Sequence, residues 1–305
     1  MKNMVKLFAA IALLMTPCKM RAQGDDMQRI MDSIDHVNKG PKEFVTATFK
    51  TTRNINLQTT ETVGRRSLDY RISHRFGDIN SGANNAWGVD GPANLFMSLE
   101  YSYDGRLMAG LGRSALEKMA EGFLKFRLIR QTSDGKTPLS VTLFSSMNYT
   151  AMIDPNKAIN GFDKYKYRWD RFSYANQIII GRKFNKRLSL EIAPTMIHYN
   201  LVDLSRDKND MYALGFAGRY KITNRMAITA EYVWRINKYS DNFSNYNDCA
   251  GVGLDIETGG HVFQIIVTNA FGMDEVQFVP YTQTSWKNAG IRLGFNLSRV
   301  FTVGH

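Results

Sequence analysis

From about residue 44 to the end of the chain, apolar and polar residues alternate one by one in segments of about ten residues. In residues 93–103, for example, Leu95, Leu99 and Tyr101 alternate with Asn94 and Glu100. Successive side chains of a β-strand point to opposite faces of the sheet. The pattern therefore predicts strands with one apolar face and one polar face.

The connections between these segments alternate almost strictly between short and long. Outer-membrane barrels have tight turns at the periplasmic end and longer loops at the outer end, whereas a soluble sandwich has no reason to keep such an order. The alternation predicts an all-β, antiparallel transmembrane β-barrel. The short connections are 104–106, 132–137, 185–187, 223–225 and 257–260, and the long ones are 76–92, 150–169, 201–209, 237–247 and 271–287.

The strand count is odd when it is taken directly from the pattern. Residues 44–57 and 66–75 are predicted as strands, and eleven more follow, which gives thirteen. Single-chain bacterial barrels have an even number of strands, so about 12–14 are expected. We favour fourteen, with two strands within residues 44–63, and twelve is the alternative.

The N-terminus has the features of a secretory signal peptide. Lys2 and Lys6 precede an apolar stretch at 7–15, and Ala22 follows as a small residue at a cleavage point. The stretch is too short for a membrane anchor. The sequence thus predicts an exported protein of a Gram-negative outer membrane. The predicted divisions are a signal peptide at 1–22, a polar lead-in at 23–43 and the barrel at 44–305.

The cysteines and the charge limit the other classes. Cys18 raises a lipoprotein alternative, but Pro17 stands where a lipidated cysteine is preceded by a small residue. After cleavage Cys249 is the single cysteine, so no internal disulfide is expected. Removing the four basic residues of the signal, which has no acidic ones, lowers the formal net charge from +11 to +7. The basic residues are dispersed, so nucleic-acid binding is not expected.

The polar face of the predicted strands carries charged residues in phase with the alternation. Two interpretations remain open: these charges line a channel and select small charged solutes, or they pair with one another and close the interior. Side chains alone do not fill a barrel of this width. The predicted lumen-lining charges are Glu100, Lys125, Arg127, Glu191, Arg219, Glu231, Arg235 and Arg292.

No catalytic or cofactor motif is recognisable. Ser73 and His74 are adjacent, and neighbours on a strand face opposite sides, so they cannot form a nucleophile–base pair. His198 lies beside a long loop and is the other histidine considered for a hydrolase. No metal-ligand spacing and no phosphate-binding glycine loop occur, so no cofactor and no metal are expected.

Five stretches of the sequence resemble a family of Gram-negative β-barrel proteins of unknown function. The resemblance extends over about residues 44–301 and implies a membrane barrel without supplying catalytic residues. The chain continues four residues past Phe301, whereas many outer-membrane barrels end on an aromatic residue. The stretches are LDYRISHRFG at 68–77, GLGRS at 110–114, NDMYALG at 209–215, DIETGGHVFQ at 255–264 and GFNLSRVF at 294–301.

The function expected from the sequence is a porin-like channel for small solutes. The alternatives are a closed barrel that acts as a structural or ligand-binding component and, with less support, a membrane-embedded hydrolase. The expected partners are outer-membrane lipid, the barrel-insertion machinery and small solutes.

Overall fold

The computed structural model describes residues 43–154, 157, 163–202, 208–237 and 246–303. The predicted signal peptide and almost all of the predicted lead-in lie outside these residues. In the described part of the chain, twelve antiparallel strands form one closed barrel. The strands are β1 (Ser67–Arg75), β2 (Asn94–Ser102), β3 (Leu107–Ser114), β4 (Met119–Ile129), β5 (Ser140–Thr150), β6 (Phe172–Lys183), β7 (Leu188–Tyr199), β8 (Asp210–Lys221), β9 (Met226–Arg235), β10 (Cys249–Thr258), β11 (His261–Thr268) and β12 (Arg292–Thr302).

Each strand pairs with its neighbours in sequence, and β12 pairs with β1 to close the barrel. Along each strand, buried residues alternate with more exposed ones, as in the pattern of β2. The alternation in the sequence has this cause: one face of every strand points into the barrel and the other points outward. The predicted fold, an antiparallel β-barrel, is confirmed.

The favoured number of strands, fourteen, is wrong, because the barrel has twelve. The predicted strand at 44–57, and the two strands predicted within 44–63, do not belong to the barrel wall. An isolated bridge between Phe44 and Thr132 joins the start of this segment to a turn, and another joins Arg53 to Gln58 within it. The other twelve predicted strands correspond to the twelve that form the wall.

The two ends of the barrel differ in their connections. Five connections at the end where β1 begins span 103–106, 130–139, 184–187, 222–225 and 259–260. Most connections at the opposite end are longer, but four residues join β3 to β4 and ten join β7 to β8. Among the described residues, short 3-10 helices occur at Ile79–Ser81, Ala83–Gly88, Leu116–Lys118, Arg168–Arg171 and Trp286–Asn288, and an α-helical turn, α1, spans Glu275–Phe278.

The outer face of the wall is mostly apolar in the middle of the strands, although Ser145 and Asn176 form a polar pair there. Leu124 and Leu111 are 57% and 69% exposed, which suits contact with lipid tails. At the short-turn end, arginines stack on aromatic rings, as Arg106 does on Phe126 at 5.7 Å. Such pairs suit the membrane interface, where aromatic girdles lie. Within the described residues, no helix has the length and apolarity needed to cross a bilayer.

Candidate functional site

The inside of the barrel is filled by residues 48–63, a segment that we call the plug. Almost all of its side chains are buried. It folds back on itself as a hairpin, in which the Thr59 N–H donates to the Thr52 carbonyl at 2.8 Å and the Asn54 N–H donates to the Leu57 carbonyl at 2.8 Å. The plug is polar and rich in Thr and Asn, so it requires hydrogen-bonding partners on the wall around it.

The plug enters and leaves the barrel at the short-turn end. Before it, the Val45 N–H donates to the carbonyl of Gln131 in the turn after β4. After it, the Arg66 N–H donates to the carbonyl of Tyr103 in the turn after β2. The hairpin tip therefore points from the short-turn end towards the middle of the barrel.

The tip of the plug is bound by one carboxylate of β9. Glu231 accepts hydrogen bonds from the backbone N–H groups of Ile55, Asn56 and Leu57 at 2.9–3.1 Å. It also accepts from the side-chain amide of Asn56 at 2.8 Å. Several donors around one carboxylate compensate the removal of its charge from water. Glu231 is therefore the main anchor of the tip.

Other polar side chains of the wall, two of them basic, bind the plug from other sides. Lys125 of β4 donates to the Thr52 carbonyl at 2.8 Å. Arg75 of β1 donates to the side-chain oxygen of Asn56 at 2.9 Å. Gln264 of β11 donates to the Asn54 carbonyl at 2.7 Å. The plug thus contacts strands from several sides of the barrel through side chains of the wall.

A second segment enters the barrel from the opposite end. It belongs to the connection between β11 and β12, and we call its residues 270–280 the inward loop. All of them except Phe271 are buried. Gln277 joins it to the wall, because it accepts from the Ser114 hydroxyl at 3.0 Å and donates to the Leu116 carbonyl at 2.9 Å. The hydroxyl of Tyr199 donates to the Val276 carbonyl.

The plug and the inward loop meet at Arg53. Its Nη1 lies 3.1 Å from Glu275 Oε1 in the inward loop, and its Nη2 lies 3.3 Å from Glu121 Oε2 in β4. Burial by itself would lower the pKa of Arg53, but the charges of Glu275 and Glu121 outweigh it, so the pKa is raised. Arg53 therefore stays charged and joins the plug, the wall and the inward loop.

An apolar cluster accompanies these polar contacts. Phe49 and Leu57 of the plug share it with Val276 and Phe278 of the inward loop and with residues of the wall such as Ile197. The two inner segments thus exclude water over part of the barrel interior, and the cluster stabilises them through burial of apolar surface.

The eight charged residues predicted to line the lumen are all buried, with at most 8% of their surface exposed. Four contact the plug: besides Glu231 and Lys125, Glu191 accepts from the Thr60 N–H at 3.3 Å and Arg127 pairs with Glu61 at 3.3 Å. The other four bind elsewhere. Arg219 pairs with Asp255 and Glu257, Arg235 with Asp248, Glu100 accepts from Ser98, and Arg292 donates to Thr284.

The sequence does not predict that the plug and the inward loop lie inside the barrel. Residues 44–57 are predicted as a strand and 271–287 as an outward loop, so neither Arg53 nor Glu275 is predicted to lie inside the barrel. One signal for the plug is the scarcity of large apolar residues at alternate positions in 48–62. One signal for the inward loop is the apolar group Val276, Phe278 and Val279 in a segment expected to face water.

A cavity of about 380 Å³ opens at the long-loop end, beside the inward loop. Aromatic rings form much of its wall, and Tyr281 makes edge contacts with Tyr199 at 5.7 Å and with Tyr246 at 5.3 Å. Arg171 and Arg292 also line it. The cavity combines aromatic surface with hydrogen-bonding groups, as sites for small molecules do.

The two histidines considered for a hydrolase lie in different surroundings. His74 stacks on Phe295 at 5.3 Å, while the adjacent Ser73 is buried in the barrel. His198 Nδ1 lies 2.7 Å from Asp210 Oδ1. Among the hydrogen bonds of the described residues, none joins His198 to a serine hydroxyl, so a Ser–His–acid contact is not formed there.

Solved structures of outer-membrane barrels are similar to this chain. The KdgM porin has 9% identity and a TM-score of 0.45 over 78% of this chain and 99% of its own. The COG4313 outer membrane channel from Pseudomonas putida F1 has 12% identity and a TM-score of 0.46 over 79% and 98%. Outer membrane phospholipase A from Escherichia coli has 13% identity and a TM-score of 0.39 over 76% and 89%. At these scores we base no functional assignment on the similarities.

Comparison with curated protein sequences found no match. A family profile described as a membrane-bound β-barrel domain matches residues 49–301, which include most of the plug and nearly all of the wall. The matched region covers well over half of the chain and agrees with the predicted resemblance and with the predicted outer-membrane location. The chain belongs to this family of membrane-bound β-barrel domains, DUF5777.

Proposed function

We propose that this outer-membrane protein is a porin-like channel in which the plug closes the lumen, and that small solutes pass when the plug moves. The observation that carries the proposal is how the plug is held. Within the described residues it adds no strand to the wall, and it enters and leaves at the same end of the barrel. The wall is closed without it, so the plug can move while the barrel stays intact.

The chemistry of the contacts supports a reversible closure. Most of them are hydrogen bonds and ion pairs between the plug and polar side chains of the wall, as at Glu231 and Lys125. Water can replace these partners, and a single hydrogen bond to a charged group contributes about 1.5–3 kcal/mol to stability. The wall charges would then line a hydrated passage for small solutes.

The cavity at the long-loop end lies where a solute would first contact the barrel. Its aromatic and arginine side chains suit small polar molecules better than lipids. The contacts with outer-membrane lipid and with the barrel-insertion machinery remain part of the proposal, since they follow from the barrel fold.

A closed barrel with a structural or ligand-binding role is the second candidate. The apolar cluster that Phe49 and Leu57 share with the inward loop favours it, because water does not replace apolar contacts. On this view the plug is a permanent part of the core.

Single-channel conductance distinguishes the two candidates. The chain from residue 23 is inserted into a planar bilayer at two KCl concentrations, beside a variant that lacks residues 48–63. For a plugged channel, the full chain gives steps that scale with salt and close reversibly, and the shortened chain stays open. If both chains are folded, heat-modifiable barrels and both are silent, the closed barrel is correct.

A disulfide lock tests whether the plug itself is the gate. The Asn56 side chain lies 3.9 Å from the Cys249 sulfur, so Asn56→Cys places a thiol of the plug beside the native thiol of β10. Oxidation is expected to silence the channel, and a reductant is expected to restore it. Asn56→Cys combined with Cys249→Ala is the control that cannot lock. Equal conductance of the oxidised and reduced proteins would mean that the plug is not the gate.

A further inference from the structure

Three carboxylates meet inside the barrel where the wall, the plug and the inward loop come together. They belong to Glu121 of β4 and to Asp274 and Glu275 of the inward loop. Each offers one oxygen, and these oxygens all lie within 4.8 Å of one another. The three residues are 3%, 0% and 0% exposed. Like charges at this distance in a buried site repel strongly unless a positive charge balances them.

Arg53 balances only part of this charge. Its guanidinium binds both oxygens of Glu275 and one oxygen of Glu121. Three carboxylates and one guanidinium leave two negative charges uncompensated. One divalent cation would bring the group to neutrality.

Two carboxylate oxygens in this group have no hydrogen-bond partner among the residues that the structure describes. They are Glu121 Oε1 and Asp274 Oδ2, and both are buried. The other oxygen of Asp274 accepts from the Val276 N–H at 3.1 Å. A buried carboxylate oxygen without a partner is costly, and coordination to a cation would remove this cost.

A fourth carboxylate adds to the negative potential. Glu100 of β2 is fully buried, and its charge acts on Arg53. In the described part of the chain, its Oε2 has no hydrogen-bond partner.

The local packing leaves room for the carboxylate of Glu121. Gly112 of β3 lies beside it, and a Cβ at this position would come within 2.8 Å of Glu121 Oε2. A side chain here would press on this carboxylate and on the ring of Phe96. Gly112 thus leaves space for the oxygen of Glu121 that binds Arg53.

We propose that Glu121, Asp274 and Glu275 bind one hard divalent cation, with Arg53 beside it supplying the remaining positive charge. All of the donor atoms are oxygens, which suit Ca²⁺ and Mg²⁺ rather than softer metals. The cation joins the inward loop to the wall and stabilises the filled barrel. The site does not depend on whether solutes cross the barrel.

Calorimetric titration tests the site. The chain from residue 23 is refolded without lipopolysaccharide in detergent, treated with a chelator, and titrated with CaCl₂ and, separately, with MgCl₂. We expect one cation per chain and a higher temperature of thermal unfolding in its presence. Asp274→Asn keeps the shape and is expected to weaken binding at least about tenfold. Asp90→Asn, on an exposed residue, is the matched control and should bind as the parent does.

The proposal is wrong if the folded, heat-modifiable barrel binds neither cation at millimolar concentrations. In that case protons neutralise the cluster. It is also wrong if Asp274→Asn binds with unchanged affinity. Should Asp274→Asn not fold, Glu121→Gln replaces it as the test, and the titration of the parent chain still decides whether a cation binds.

Discussion

Arg53 Nη1 and Glu275 Oε1, which lie 3.1 Å apart, join the two segments that fill the barrel from opposite ends. The side chains of both residues are at most 2% exposed. Arg53 also pairs with Glu121 of the wall, so one guanidinium connects three parts of the fold. Removing one partner of a buried ion pair leaves an uncompensated charge and typically costs about 3–5 kcal/mol.

We therefore expect Arg53→Gln to loosen the plug and to leave the barrel wall intact. Amide hydrogen exchange at Asn54 and Thr59, whose N–H groups form the hairpin of the plug, should become about a hundredfold faster or more, in line with a cost of about 3 kcal/mol. Lys50→Gln is the control within the same segment. The Lys50 side chain, which pairs with Glu257, is 41% exposed. Loss of this ion pair should therefore lower the free energy of unfolding by less than about 1 kcal/mol. Equal acceleration by both variants would contradict a special role for Arg53.

The wall of the barrel could be predicted from the sequence, because alternation is a local property of each strand. Contact of the outer face with lipid requires an apolar residue at every second position, and twelve segments show it. Charged residues such as Glu231 occupy the positions between the outward apolar residues. The same alternation therefore predicts that they face the inside of the barrel. Which groups these charges bind could not be predicted from it.

The plug and the inward loop could not be predicted in this way. Residues 48–63 are buried except at Lys50 and Glu61, so no single face distinguishes them. Their backbone groups bond to wall side chains such as Glu231, which lies about 175 positions away in the chain. Only the closed fold brings these partners together. A polar, Thr-rich segment inside a barrel therefore resembles a weak strand when its sequence is considered alone.

Glu231 is expected to be the contact that fixes the tip of the plug. In Glu231→Gln one acceptor oxygen becomes an amide donor that faces the backbone N–H groups of Ile55, Asn56 and Leu57. We expect faster amide exchange at all three positions and more frequent open events in conductance recordings.

Glu191→Gln is the matched control for this prediction. Glu191 is equally buried but accepts one backbone N–H, from Thr60 at 3.3 Å. Its replacement should affect exchange near Thr60 and leave the tip protected. If Glu231→Gln leaves the exchange of the tip unchanged, the carboxylate does not anchor it.

Glycines of the wall make room for side chains of the plug. A Cβ at Gly215 of β8 would lie 2.9 Å from Cδ2 of Leu57. We expect Gly215→Ala to displace Leu57 and to weaken closure, seen as a larger open fraction in single-channel recordings, while the barrel still folds. Gly218→Ala on the same strand faces outward, near a side-chain methyl of Leu190 at 3.1 Å, and should leave the open fraction unchanged. An equal effect of the two substitutions would point to a general change in β8.

Charge on the outer face should be tolerated only near the ends of the strands. Leu124 lies in the middle of β4 and is 57% exposed on the outside of the barrel. Leu107 begins β3 at the short-turn end and is 48% exposed. Arg at the middle of a bilayer costs about 2–4 kcal/mol, and near the interface about 0–1 kcal/mol.

We therefore expect Leu124→Arg to lower the free energy of unfolding from lipid vesicles by about 2–4 kcal/mol and Leu107→Arg to lower it by less than about 1 kcal/mol. Equilibrium unfolding in guanidinium, followed by tryptophan fluorescence, measures both. The difference arises because Leu124 has lipid tails around it, whereas an arginine at Leu107 reaches the headgroups. If both variants lose the same stability, Leu124 does not lie at the middle of the membrane and the position of the barrel along the bilayer normal must be shifted.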